Sequence, residues 1–222
     1  MTDLDSRTDA HLAPAHPGPA AVREQPAAAP VRPEDDPSAG PVLLGLARTA
    51  IAARRSVSEP PDAPGWLHEL GATFVTLTQD ARLRGCIGSV QAHRRLGEDV
   101  MRNACSAAFH DPRFPPLPAQ ELPTVRIEVS LLSATEPIPA ASRDELLENL
   151  EPGVDGLVLA WHGHRGTFLP QVWEQLPDPH DFVEHLLHKA GLPVVFWSED
   201  VVAHRFGVTA WHEPDELPLA HT

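Results

Sequence analysis

The residues best suited to chemistry lie in one short run, Arg82-Leu83-Arg84-Gly85-Cys86-Ile87-Gly88-Ser89-Val90. It sets a thiol between two glycines and two residues after an arginine. The thiolate is the reactive form of cysteine, and a cationic neighbour favours it. In a regular strand, residues two apart project to the same face, so Arg84 is predicted beside Cys86. There it would activate the thiolate or clamp an anionic ligand with its forked guanidinium. Glycine weakens a strand interior unless a bulge, a bend or a close approach needs the missing side chain, so Gly85 and Gly88 read as backbone shaped around Cys86. The plainer alternative is a small core cysteine with Arg84 as a surface ion-pair partner.

Other groups offer weaker chemistry. Cys105 lies on the apolar side of a helix beside Met101 and Ala108, which reads as core filler, the sharper alternative being a resolving thiol for Cys86. Thirteen histidines raise a metal reading. His162 and His164 share a hairpin and His185 and His188 a helix face, but neither pair has a third ligand at a diagnostic spacing, so no metal site is expected. Asp111-Pro112-Arg113-Phe114 is a rigid loop carrying an acid and an arginine, which read most simply as an internal pair. Glu128 lies on the polar face of a strand, and if Cys86 is a nucleophile, Glu128 or Asp111 is expected to handle protons. Lys189, the one lysine, reads as a last-turn helix residue complementing the dipole.

The elements that position these groups follow from periodicity. Leu43, Leu46, Ala47, Ala50 and Ile51 predict a helix over 41–55, which a Pro-rich loop ends. Phe74–Thr78 and Leu83–Val90 predict a hairpin with Cys86 on its second strand. Leu96, Val100, Ala104 and Ala107 form the stripe of a helix over 96–109, stopped by the prolines after Asp111. Val125, Ile127, Val129 and Leu131 alternate with Arg126, Glu128 and Ser130 as a half-buried strand. Ser142 and Glu145 form a capping-box pattern opening a short helix. A second hairpin is expected over Leu157–Leu169 and a helix from Asp178 to Ala190, ended by Gly191 and Pro193. One last strand is expected over 201–211. Helices interspersed with hairpin-joined strands predict an α+β fold on mainly antiparallel sheet.

Composition bounds the rest. Residues 1–39 are rich in alanine and proline with almost no bulky apolar residues, so they read as a disordered tail, and 214–222 as a flexible C-terminus. The 40–213 remainder of the 222-residue chain suffices for one sizeable core or two lobes. The tail lacks the apolar run of a secretory signal, and no stretch is long enough to span a bilayer. Two cysteines make no disulfide framework, so a soluble protein of a reducing cytoplasm is expected. The net charge is -14, and no basic cluster extends beyond Arg54-Arg55 and His93-Arg94-Arg95, which argues against nucleic-acid binding.

With these segments laid out, the chain resembles the AmmeMemoRadiSam system protein A family, the prokaryotic relatives of the human AMME chromosomal-region protein. The resemblance rests on Phe74–Thr78, Leu83–Gly88, Ala107–Leu117, Ile127–Ser133, Gly153–Leu159, Gly166–Trp173 and Lys189–Leu192, collinear from about residue 41 to 212. It implies two subdomains with the Leu83–Gly88 motif facing a cleft between them. It also implies association with a Memo-like protein, itself similar to non-haem iron dioxygenases, and with a radical SAM protein. No cofactor or reaction is implied, and a small-molecule substrate and a homodimer stay open. By position the family motif carries over to Arg84, Gly85, Cys86 and Gly88, and further to Asn103, Asp111, Arg113, Glu128 and Gln171. Relatives often have Asp-Gly where this chain turns through Gln79-Asp80-Ala81, and they carry varied residues at His162 and His164. The resemblance leaves two readings: a site that binds or transfers a small substrate or partner segment at Cys86, and a non-enzymatic adaptor whose motif shapes a recognition surface.

Overall fold

The structure, a computed structural model, describes residues 32–59 and 62–214. The residues before Arg32, and all but the first of 214–222, lie outside the described part. Among the described residues ahead of the first helix, Asp36 Oδ2 accepts from the Trp66 indole at 2.8 Å, which anchors that segment.

Helix α1 (Ala39–Ala53) buries the stripe read from the sequence and ends on Arg54, whose left-handed φ of 56° lets its amide bond the last turn. Strands β1 (Leu70–Gln79) and β2 (Arg82–Gly88) form the expected hairpin. Asp80 and Ala81 both take positive φ, 51° and 58°, the turn whose twist matches that of paired strands. A two-residue strand β3 (Arg94–Arg95) leads into α2 (Leu96–Phe109). Strand β4 (Arg126–Leu132) follows the proline-rich segment, then β5 (Glu136–Ile138) and α3 (Arg143–Asn149). The Ser142 side chain accepts from the Glu145 amide as the capping box requires. Strands β6 (Gly156–Trp161) and β7 (His164–Phe168) turn tightly at His162-Gly163, so His164 lies on a strand. Helix α4 (Pro179–Lys189) precedes β8 (Val202–Phe206) and β9 (Val208–His212).

Two antiparallel sheets result, in an α+β fold. The first runs β2-β1-β4-β9 with β3 beside the start of β1, and the second runs β5-β8-β6-β7. Helices α1 and α2 cover one face of the first through Leu43, Ile51, Val100, Val75, Leu77 and Ile127. In the second, Leu146 of α3 and Phe182, Leu186 and Leu187 of α4 pack on Leu157 and Leu159. A third apolar cluster of Ala72, Leu132, Val158 and Phe206, with Phe74, Leu169 and Val208 against it, joins the two sheets.

The single last strand expected over 201–211 is in fact two strands in different sheets. Gly207 divides them: its amide donates to Ser133 Oγ at 2.9 Å and its carbonyl accepts from the Ser133 amide at 3.0 Å. Strand β5 was illegible because it is three residues long and contains Pro137, which an edge strand accommodates.

Candidate functional site

The position of Cys86 depends on a bulge. From the turn, Gln79 pairs with Arg82 and Thr78 with Leu83, but Leu77 then pairs with Gly85, leaving Arg84 as one extra residue in β2. Side-chain direction alternates strictly along a strand, so one inserted residue moves everything beyond it to the opposite face. In unbroken register Cys86 would oppose Val75 and face the helices. With the bulge it opposes Thr76, on the face the helices leave open.

A polar row crosses that face. Thr76 lies between Cys86 on β2 and Glu128 on β4, and Glu128 pairs with His212 on β9. The Thr76 hydroxyl donates to Cys86 Sγ at 3.3 Å, and Ser130 Oγ donates to Glu128 Oε1 at 3.2 Å. Cys86, Thr76 and Glu128 are half-buried and His212 is exposed. Strand spacing separates Cys86 from Glu128 by about 10 Å at Cα, so a proton would pass between them by way of Thr76 or water. The next row contains Phe74, part of the joint between the sheets, so the polar row forms a shelf beside that joint.

The outer edge of β2 is closed by side chains. At Cys86, the amide donates to Asp111 Oδ2 at 2.9 Å, and the carbonyl accepts from Arg113 Nη2 at 3.0 Å. Arg113 also forks onto Asp111, Nε to Oδ1 at 2.9 Å and Nη2 to Oδ2 at 2.7 Å. The acid and arginine supply the acceptor and donor that a neighbouring strand would offer, which protects an otherwise open edge. The Arg113 hydrogen bond, aided by the Cys86 and Arg113 amides and the opposite charge, outweighs burial and holds the Asp111 carboxyl well below the ordinary range. Asp111 raises the Arg113 guanidinium in turn.

The glycines serve packing. A Cβ on Gly85 would lie 2.2 Å from the Ala107 carbonyl oxygen of α2, so the missing side chain lets the helix sit directly on the strand. A Cβ on Gly88 would lie 2.2 Å from the Phe74 ring, which crosses the strand there.

The chain and its fold are similar to known proteins. The AMMECR1 family profile matches residues 44–211. A protein of Thermofilum pendens is 38% identical over 173 residues, covering 71% of this chain and 81% of its own length. One of Methanothermobacter thermautotrophicus is 34% identical over 180 residues, covering 78% and 94%. The crystal structure of the uncharacterized protein PH0010 from Pyrococcus horikoshii superposes with a TM-score of 0.70 at 32% identity, covering 78% of this chain and 91% of that one.

The chain belongs to the AMMECR1 family. AmmeMemoRadiSam system protein A is a member of the same family, so the resemblance carried by the motifs holds. Within this AMMECR1 domain the expected site residues separate. Arg84 leaves the thiol: its Nε donates to Glu121 Oε2 at 3.1 Å and its Nη1 to the Pro115 carbonyl at 2.8 Å, tying the bulge to the segment after α2. The cation beside Cys86 is Arg113.

Asn103 is buried. Its Nδ2 donates to the Thr73 carbonyl and to Asp99 Oδ2, both at 2.9 Å. Fully buried Asp99 also accepts from Thr73, Ser89 and Arg94, so this network pins α2 to β1 and to the residue after β2. Gln171 is exposed on a 3-10 turn over Pro170–Glu174, two residues beyond Leu169 of the joint. Cys105 donates to the Ala50 carbonyl from the α1 side, and burial raises its thiol. The sheet separates it from the open face that Cys86 occupies. His164 Nδ1 lies 3.0 Å from the Ala190 carbonyl, His185 Nδ1 lies 2.8 Å from that of Asp181, and Lys189 Nζ donates to the Thr167 carbonyl at 2.8 Å.

Sequence reading missed Thr76, His212 and the Asp99 network. Thr76 lies within the strand expected over Phe74–Thr78, but its partner depended on the bulge. No local pattern signals that an acid at the start of α2 will be buried.

Proposed function

We propose that this AMMECR1-family chain is a cytoplasmic accessory protein of a Memo-like and radical SAM modification system. It acts through the shelf around Cys86, where it binds or transfers a small substrate or a partner segment. The observation that carries this reading is the half-buried thiol, hydrogen-bonded to Thr76 and in register with Glu128 and His212 on an open sheet face. Thr76 is the hydroxyl through which a proton from sulfur would be relayed, directly or by way of water, to Glu128, which takes it up as the carboxylate of the row. Asp111 is reserved for the strand edge, since its oxygens are occupied and it is held ionised.

The adaptor reading has its own support, because Gly85 and Gly88 are each required by packing whether or not the sulfur reacts. One experiment separates these readings: alkylation of Cys86 in the intact protein with and without a purified Memo-like partner, Cys105 serving as the internal control. The proposal expects the partner to bind and to slow Cys86 labelling while Cys105 labelling stays constant. Binding with an unchanged Cys86 rate, together with full pathway function of C86S, would transfer the role to the adaptor surface; failure to bind would remove the partner itself.

A further inference from the structure

The two short basic runs of the sequence, Arg54-Arg55 and His93-Arg94-Arg95, converge in space on the side of the first subdomain away from the Cys86 shelf. Arg55 follows the left-handed cap of α1, and Arg94 pairs with Gly71 beside the start of α2. Between them α2 presents Arg102, Asn103, Cys105 and Ser106. With Ser56 and His110 these line a cavity of about 270 Å³.

The charges facing this cavity do not cancel. Arg94 Nη2 is bound to Asp99 at 2.7 Å, and Arg102 Nε to Glu98 at 2.8 Å. Arg55 and His110 make no side-chain hydrogen bond or ion pair with another described residue. Three guanidiniums thus stand against two carboxylates, with an imidazole and two hydroxyls added, in a chain whose net charge is -14. A positive hollow in an acidic protein concentrates anions, and arginine forks match the geometry of phosphate oxygens.

We propose that this cavity is a binding site for a small phosphate-bearing molecule. Arg55 and Arg102 grip the phosphoryl oxygens, while Ser56, Ser106 and His110 supply further hydrogen bonds. The volume lies at the small end of ligand sites, which suits pyrophosphate or a phosphate monoester of a few carbons. Arg94 and Asn103 form the inner wall, and both bond Ser89, the residue that follows Gly88. The site is therefore joined through one hydrogen-bonded network to the end of the strand that carries Cys86, although its existence does not depend on the role of that thiol.

Cys105 supplies a reporter on the cavity wall. In a C86S protein it is the one remaining thiol, and its alkylation at mildly alkaline pH can be followed with pyrophosphate and with sodium chloride of equal ionic strength, alongside calorimetry. The expected result is saturable binding heat and a labelling rate that falls with pyrophosphate but not with chloride. Arg55 and Arg102 are exposed, so R55A/R102A retains the fold. It should bind pyrophosphate about a hundredfold or more weakly, about tenfold for each of the two charge-assisted hydrogen bonds lost. Absence of both heat and protection at millimolar pyrophosphate would overturn the proposal, as would unchanged affinity in R55A/R102A.

Discussion

Asp111 offers a direct test of how the Cys86 strand is held. Its side chain is 1% exposed and accepts from the Cys86 amide, the Arg113 amide and both prongs of the Arg113 guanidinium. In D111N one carboxylate oxygen becomes an amide donor facing other donors, and the negative charge is gone. Removing one member of a buried pair costs about 3–5 kcal/mol. Arg113 is 54% exposed, so its charge can turn to water, which brings the expectation to about 2–3 kcal/mol at neutral pH.

The sign with pH follows from the depressed carboxyl. Its contribution is complete above the unfolded aspartate value of about 3.9 and is lost as pH falls below that toward the folded value. Urea unfolding followed by tryptophan fluorescence should therefore show the gap between wild type and D111N at its widest at neutral pH and shrinking below about pH 4. Native-state hydrogen exchange should show faster exchange of the Cys86 amide in the variant. A neutral-pH difference under about 0.5 kcal/mol, or a gap that stays constant on acidification, would refute the edge-closure account.

Ala81 stands at a φ of 58°, where an alanine Cβ is strained, so Ala81→Gly should stabilise the protein by about 1 kcal/mol in the same unfolding assay. Gly85→Ala should cost several kcal/mol or prevent folding, because its Cβ would meet the backbone oxygen of Ala107, which cannot swing aside; soluble yield and melting temperature report this. Arg84→Ala should leave the Cys86 alkylation rate close to wild type, whereas Thr76→Val, which removes the hydroxyl bonded to the sulfur, should change it; the reverse pattern would restore Arg84 as the partner of the thiol.

The sequence by itself determined the helices and most of the longer strands. Apolar spacing of three and four in α1, α2 and α4, alternation in β4, the Ser142 cap and the run of prolines after Asp111 are local signals, and local backbone physics obeys them. It also marked the Leu83–Gly88 run, since a thiol between two glycines is conspicuous in any strand. The tertiary structure alone decided what that run does. A single extra residue at Arg84 inverts the parity of β2, so the arginine expected beside the thiol binds Glu121 and the thiol turns from the helices to the open face. The bulge satisfies two long-range demands at once: Gly85 must lie under Ala107 of α2, and the edge of the strand must meet Asp111 and Arg113. Side-chain parity is a property of register, and register is fixed by partners distant in sequence. For the same reason, residues 76, 86, 128 and 212 share a row, and Arg55, Arg94 and Arg102 share a cavity, although no spacing along the chain foretells either.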